Sequence, residues 1–446
     1  MAKEVALAGT ITAAFPIRNV NIKKPACLAL IFPRSSIVVP PSIQAYLEYF
    51  PNSGLNNRLR QCLFLPQLQI LVFIIFHGKG HNMAQEKISR CQFISIVILF
   101  EIGTTVLFGL RMQAKQDEWL AILAAMLGGL VLMRVYSKLS EYYPNRTLVQ
   151  MVPEIAGKWI GYPLAFIYIL DFAYESSRVL RDFGELIVQT ILIDTPIIVV
   201  MAGFMFSIVY CLRGGLEVFG RMGEVLFPVA FLALVLGWIL IFSSQIHHSE
   251  YIEPVFAKGF QPIWNAVFPF LIVFPFGQTL LFMMFTINSN DHSSIKKAGM
   301  IAVLASGIIL SLNMLGLIAV FGPSVLEETE FPLYTAIGMV SLGDFIMNLD
   351  ALAILMMVLG GFFKLGAFMY GSVLGTAQLF KLESYHSLII PWGTIILAMS
   401  LIIASTYSQH IEIGWKISIP YIFFPLYIVI PILLLIVAAI RNMGRG

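Results

Sequence analysis

Long apolar segments follow one another along most of the chain. A helix that crosses a bilayer needs about 20 mostly apolar residues, because each residue rises about 1.5 Å through a core about 30 Å thick. Ten segments of this kind follow residue 83, at residues 94–110, 119–135, 159–188, 196–212, 225–243, 262–287, 298–323, 351–380, 387–408 and 417–440. The pattern predicts an all-α polytopic membrane protein with ten transmembrane helices, in a domain that covers residues 83–446.

The composition agrees with this prediction. Of the 446 residues, 58% are hydrophobic and 12% are charged, and the mean hydropathy is +0.85. A single soluble core stops growing near about 250–300 residues, so the composition argues against a soluble enzyme, a nucleic-acid-binding protein and a disordered protein. The net charge of +3 is too small to indicate a nucleic-acid partner.

Sequence motifs for catalysis, metal binding or cofactor binding are missing from the chain. Its four cysteines are widely spaced and form no CxxC pair, so they indicate neither a disulfide framework nor a metal cluster. The sequence contains no GxSxG, HExxH or Walker loop. We therefore expect no enzymatic activity, no metal and no cofactor.

The loop charges indicate how the chain is oriented in its membrane. Basic residues are enriched in cytoplasmic loops. If the N-terminus is cytoplasmic, basic residues on the cytoplasmic side outnumber those on the outer side, and the acidic loop with Glu327, Glu328 and Glu330 lies outside. Ten spans then place both termini in the cytoplasm.

Residues 1–82 differ from the rest of the chain in composition and in hydrophobic pattern. They contain seven prolines and no clear period, and their apolar run at 68–76 is too short to span a bilayer comfortably. The codons for Lys79-Gly80 form a purine-rich stretch. This stretch lies where a bacterial ribosome-binding site would be if translation began at Met83. We expect residues 1–82 to be a non-native or disordered extension. The alternative is a genuine extension with a re-entrant or eleventh hydrophobic segment.

Two segments that lie five spans apart carry helix-weakening residues at their centres. Both segments carry glycine and polar residues there, and the sixth adds a proline. We predict that the ligand binds at these two positions, to Glu101, Gly103, Thr104 and Thr105 in the first segment and Phe274, Pro275, Gly277, Gln278 and Thr279 in the sixth. Ten spans with such breaks are typical of a five-plus-five inverted repeat with broken helices 1 and 6. Freed N–H groups attract a carboxylate, and freed carbonyls attract cations or an ammonium. The alternative is that membrane helices tolerate Gly and Pro without any function.

Several ordered motifs support a resemblance to a known family. They are the opening MAQEKISRCQ, the first-span FEIGTT, PNRTLVQMVPEIAGKWIG at 144–161, GLEVFGRMGEVLF at 215–227, VFPFGQT at 273–279, and Phe363-Lys364. From Met83 onward the chain resembles the B subunit of spore germination nutrient receptors, in the amino acid–polyamine–organocation superfamily. The resemblance also implies a carboxylate near Gln278 and an arginine near Asn348, and this chain has neither.

The resemblance implies a membrane-embedded sensor in the inner membrane of dormant spores. The B subunit of such a receptor binds a small nutrient, an amino acid in this interpretation, and triggers germination. Its partners are an A subunit with soluble domains and a lipoprotein C subunit. Two alternatives remain open: an amino-acid or cation secondary transporter of the same fold, and a structural membrane subunit that binds no nutrient.

Two charged residues within the spans are the strongest candidates for function, since charges inside a membrane are costly. Glu101 could pair with Lys364, hold a proton or meet a ligand ammonium, or it could cap the half-helix that follows. The related transporter fold has a cation site between its first and eighth helices, and Lys364 could occupy such a site permanently. The alternative is that Lys364 reaches toward the interface.

Aromatic residues of the third segment are further candidates. Tyr168 and Phe172 lie on the span that lines the binding site in this fold. They could close the ligand pocket, and ordinary packing is the alternative.

Overall fold

The computed structural model describes residues 87–108, 112–285, 292–340 and 350–443. The predicted extension at 1–82 and Asn348 lie outside the described residues. In the described parts the chain is built from helices joined by short turns.

Fourteen α-helices are described along the chain. They are α1 (Arg90–Ile102), α2 (Thr105–Phe108), α3 (Glu118–Tyr142), α4 (Leu148–Ala156), α5 (Lys158–Thr190), α6 (Ile197–Arg213), α7 (Leu216–Ser243), α8 (Gln261–Ala266), α9 (His292–Glu328), α10 (Pro332–Gly338), α11 (Asp350–Leu379), α12 (Ile389–Ile402), α13 (Tyr407–Ile413) and α14 (Ile430–Met443). A π-helical turn at Val267–Leu271 and a 3₁₀ segment at Phe276–Met284 follow α8, and a π-helical segment at Gly414–Val429 joins α13 to α14.

Within the described residues, each of the ten predicted segments contains helical structure. Six described helices are long and apolar enough to cross a membrane, and α6 and the helix that ends at Ile402 are apolar but shorter. The first segment is divided between α1 and α2, and α5 carries a run of charges in its second half. The protein is therefore a multi-pass helical membrane protein. Six of its described helices qualify as membrane spans by their length and composition.

Helix starts follow the local sequence. Ser89 caps α1, because its hydroxyl accepts from the backbone N–H of Gln92 while the Gln92 side chain accepts from the backbone of Ser89. Thr147 and Gln150 form the same reciprocal arrangement at the start of α4. Such capping boxes satisfy N–H groups that a helix leaves without partners.

The breaks predicted in the first and sixth segments are present. The first helix stops at Ile102, and Gly103 takes φ −34° and ψ −88° before α2 begins. In the sixth segment Phe268 leaves the helical region with φ −116° and ψ 125°. Regular helix is not restored in this segment, since Phe276–Met284 is a 3₁₀ helix.

The centre of the bundle is formed by α11 and α5, which pack against each other. Most of α11 is buried, whereas most of α7 faces outward. The first segment packs against α7, α9 and α11. This arrangement places the first break next to the middle of α11, where Gly103 meets the backbone of Gly360.

Candidate functional site

A cavity of about 450 Å³ lies beside the break of the first segment. Its walls come from α5, α9 and the turn after it, α11, α13 and the π-helical segment. Among the lining residues are Thr104, Thr105, Glu175, Arg178, Asp182, Phe274, Glu327, Glu328, Glu330, Lys364, Glu412, Trp415 and Phe423. Charged groups from several elements therefore face one space inside a mostly apolar protein.

Three of these charges come from one face of α5. Glu175, Arg178 and Asp182 are separated by three and four residues, so they follow one another along the same side of a helix. Glu175 is 3% exposed. The side-chain amide of Gln278 donates to its Oε2 at 2.5 Å, and Oε1 has no hydrogen-bond partner among the described residues. The 3₁₀ segment is thereby connected to α5 by a hydrogen bond between buried side chains.

Lys364 extends from α11 to the same cavity. It is 0% exposed, and its Nζ has no hydrogen-bond acceptor in the described part of the chain. The ammonium lies 4.4 Å from the ring centre of Phe274 and 5.4 Å from that of Phe100, which favours the cation through the ring quadrupoles. Its charge also interacts with those of Glu175 and Glu101.

Glu101 is buried at the end of α1 but is not a lining residue. Neither carboxylate oxygen has a hydrogen-bond partner within the described residues, so Glu101 does not cap α2. The contacts of up to 4.0 Å in this described part do not include an ion pair between Glu101 and Lys364. Its carboxyl group therefore lies more than 4.0 Å from the Lys364 ammonium.

The structure brings together some of the residues predicted from the sequence. Thr104, Thr105, Phe274 and Lys364 line the cavity, and the Thr105 hydroxyl has no partner among described groups. The other predicted residues are not among its lining residues: Glu101, Gly103, Tyr168, Phe172, Pro275, Gly277, Gln278 and Thr279. The cavity thus lies to one side of the two breaks.

The aromatic candidates of α5 pack within the bundle. The Tyr168 hydroxyl donates to the carbonyl of Leu426 at 2.7 Å. The Phe172 ring lies 6.3 Å from that of Phe368. Both side chains are fully buried, and neither reaches the cavity. Their role in closing a ligand pocket stays a prediction.

Backbone groups at the sixth break are already engaged. The Tyr136 hydroxyl contacts the carbonyls of Gly277 at 3.3 Å and Tyr427 at 2.6 Å. The Thr279 hydroxyl donates to the carbonyl of Phe276 at 2.6 Å. These bonds stabilise the interrupted segment from within the protein.

The mouth of the cavity is acidic. We use "mouth" for the lining residues Glu327, Glu328, Glu330 and Glu412. Next to it, His410 of α13 contacts Asp182 of α5 at 2.9 Å. Arg178 donates to the His410 carbonyl at 3.2 Å. A polar contact therefore connects α13 to the charged face of α5 beside the mouth.

The far end of the bundle carries a second cluster of charges. Glu141, near the end of α3, contacts Lys138 at 3.0 Å and Lys296 at 2.9 Å. Lys296 lies near the start of α9, whereas Glu328 of the mouth is its last residue. A helix of this length extends about 1.5 Å per residue, so the cluster lies at the opposite end of α9 from the mouth.

The sequence prediction did not include the α5 charges as ligand-binding residues. The signal was present, because charges in the second half of an apolar helix must face water or other helices. Which of them face a common space depends on how α5 packs. Among the described residues, no group of three His, Cys, Asp or Glu could hold a metal ion.

Comparison with known proteins gives consistent results. The family described as "Spore germination protein" matches residues 87–408. Spore germination protein KB of Bacillus subtilis (strain 168) is 35% identical over 363 residues, which cover 81% of this chain and 97% of that protein. Spore germination protein B2 of the same organism is 23% identical over 68% of this chain and 83% of that protein.

A solved structure shows the same fold. The crystal structure of MhsT in complex with L-phenylalanine matches with a TM-score of 0.57 and 14% sequence identity, over 81% of this chain and 89% of that one. The arrangement of helices is therefore that of a transporter fold, as the two broken segments predicted.

Proposed function

Because the chain belongs to the spore germination protein family, we propose that it is the nutrient-binding membrane subunit of a germinant receptor. In this proposal a small nutrient, an amino acid, occupies the cavity and triggers germination. The observation that carries the proposal is the 450 Å³ cavity, which ends on buried charged groups beside the first break. The amino acid bound in the structurally similar MhsT supports a ligand of this size.

The proposal extends to location and partners. The protein lies in the inner membrane of the spore with both termini on the core side, in agreement with the distribution of basic loop residues. It assembles with the A and C subunits of the receptor. Binding favours one arrangement of the helices over another, because a ligand shifts a conformational equilibrium only through differential affinity.

Release of dipicolinic acid tests the receptor function. Spores with and without the gene are exposed to single amino acids and sugars, and release is followed over time. We expect a response to at least one nutrient that disappears with the gene and returns on complementation. Identical responses to every nutrient would contradict the receptor proposal.

A transporter is the second candidate function, and one observation favours it. The cavity has its mouth at one end of α9. At the other end, the Glu141 cluster (Glu141 with Lys138 and Lys296) joins α3 to α9. A binding site closed on one side is what alternating access requires. Uptake of labelled amino acids into proteoliposomes distinguishes the two functions, since a receptor would bind the nutrient without accumulating it.

We also propose that Lys364 serves as an internal cation. Its buried ammonium supplies a positive charge between α11 and the first segment without a bound metal ion. The variant Lys364→Ala is expected to respond to nutrient only when sodium is present, whereas the unmodified receptor should be indifferent to sodium. A response of Lys364→Ala that equals that of the unmodified protein in sodium-free buffer would contradict this role.

A further inference from the structure

Two charged side chains at the cavity have unused hydrogen-bonding capacity. The Lys364 ammonium has three donors, and none of them has an acceptor in the described parts of the protein. Oε1 of Glu175 is likewise without a donor among the described groups. Both side chains are more than nine-tenths buried, and both line the cavity.

Burying both side chains costs free energy that their present contacts offset only in part. Two aromatic rings face the Lys364 ammonium and Gln278 donates to one Glu175 oxygen, but the remaining hydrogen-bonding groups lose their hydration without a replacement. The two groups interact through their charges, yet the described ion pairs do not include one between them. A small molecule that carries both a negative and a positive group could satisfy both side chains at once.

We propose that Lys364 binds the carboxylate and Glu175 the ammonium of a zwitterionic amino acid in this cavity. Recognition of the ligand's charged groups then depends on side chains of α11 and α5, in addition to any backbone groups at the helix breaks. Gln278 is a positioning residue, because its hydrogen bond to Oε2 leaves Oε1 of Glu175 for the ligand. The inference rests on the proposed function, that this cavity holds a small nutrient.

The remaining lining residues indicate which amino acids fit the cavity. Phe274, Trp415 and Phe423 give one wall an aromatic surface, with the rings of Phe274 and Trp415 6.2 Å apart. Arg178 already donates to His410 and lies over the ring of Tyr174. Three carboxylates of the mouth, Glu327, Glu328 and Glu330, disfavour a ligand with net negative charge, whereas Glu412 pairs with Lys416. The site therefore fits a neutral amino acid with an apolar side chain better than aspartate or glutamate.

Ligand analogues test the charge requirement on the unmodified protein. The full chain is purified into lipid nanodiscs, and thermal unfolding is measured with each common amino acid and with D-glucose. The amino acid that stabilises the protein most is then compared with its C-terminal amide and its N-acetyl derivative. We expect each derivative to bind about 10- to 100-fold more weakly, since each leaves a buried charge without a partner.

Two substitutions assign the charges to residues. Lys364→Gln is expected to bind the amino acid and its amide equally while still rejecting the N-acetyl derivative. Glu175→Gln is expected to show the reverse pattern. A change in discrimination between analogues separates recognition from a general loss of stability, which would weaken all three ligands alike. Lys258→Gln and Glu217→Gln remove the same charges from exposed sites and should retain the discrimination of the unmodified protein.

Failure of this inference can be distinguished from failure of the proposed function. If an amino acid binds but its amide and N-acetyl derivative bind equally well, the cavity holds a nutrient and the charge assignment is wrong. If D-glucose alone stabilises the protein, or no compound does, the amino-acid ligand itself is wrong. Unchanged discrimination in both variants would also overturn the assignment.

Discussion

Two glycines determine how closely the first break approaches α11. A Cβ on Gly103 would lie 2.7 Å from the carbonyl oxygen of Gly360, a distance that requires one backbone to move. Gly203 on α6 is a matched control, because a Cβ there meets no described atom within 4 Å.

The variant Gly103→Ala is therefore expected to lower the free energy of unfolding by about 1–3 kcal/mol, the usual effect of overpacking. Gly203→Ala should leave it unchanged or raise it slightly, since alanine favours helix. Thermal unfolding of both purified variants in one detergent measures the difference. Equal midpoints would show that the first break does not depend on this contact.

At the scale of single residues, the sequence identified some candidates better than others. Lys364 could be found because it is the one charge in a long apolar segment. Glu175 could not be singled out, because five other charged residues lie nearby in the same helix. Only the packing of α5 against α11 decides that Glu175, Arg178 and Asp182 line the cavity.

At the scale of elements, a hydrogen bond connects α5 to the π-helical segment. The Tyr427 hydroxyl donates to Oδ2 of Asp171 at 2.6 Å, and both side chains are buried. The other oxygen of Asp171 has no partner among the described residues, so this bond is the main compensation for burying the carboxyl group.

Tyr427→Phe removes that donor and keeps the ring. We expect the free energy of unfolding to fall by about 1–3 kcal/mol, because a buried acceptor is left unsatisfied. Tyr421→Phe is the control, since Tyr421 lies in the same segment and is 75% exposed. Chemical denaturation of the two variants provides the comparison, and a similar small effect in both would argue against a structural role for the Asp171 bond.

The positions of the breaks could be predicted from the sequence, but their geometry could not. Gly103 and Pro275 weaken a helix wherever they occur, so interruptions in the first and sixth segments were expected. The form of each interruption depends on tertiary hydrogen bonds. Tyr136, for example, contacts the carbonyls of Gly277 and Tyr427 from another helix, and the sequence gives no indication of such a partner.

At the scale of the whole molecule, the Glu141 cluster holds the end of the bundle opposite the mouth. The Lys296–Glu141 pair is partly exposed, and such pairs contribute about 0.2–1 kcal/mol. If the signalling state is open at this end, Lys296→Glu should lower the nutrient concentration for half-maximal germination by about 1.4- to 5-fold.

A charge swap provides the control for that prediction. The double variant Lys296→Glu with Glu141→Lys restores opposite charges between these two positions but loses the Lys138–Glu141 pair, so it is expected to return the half-maximal concentration partway toward that of the unmodified receptor. Release of dipicolinic acid over a range of nutrient concentrations measures the shift. An equal shift in the single and double variants would mean that the pair does not control opening.

The sequence predicted a helical membrane protein from the spacing of its hydrophobic residues, because ten long apolar segments are typical of a bundle of membrane-spanning helices. The arrangement of the helices was predicted from the two breaks five spans apart and from the resemblance of ordered motifs, and the structural match to MhsT agrees with it. The cavity was expected at the two breaks and lies beside them, since α5 and the end of α9 contribute most of its charged wall.

The contact between Gly103 and Gly360 also constrains how this protein can evolve. A Cβ on Gly360 would overlap Gly103, as one on Gly103 would overlap Gly360. A larger residue at either site requires the two helices to move apart. We therefore expect relatives of this protein to keep both glycines or to replace both, and a relative with a larger residue at either position to hold its first break farther from α11.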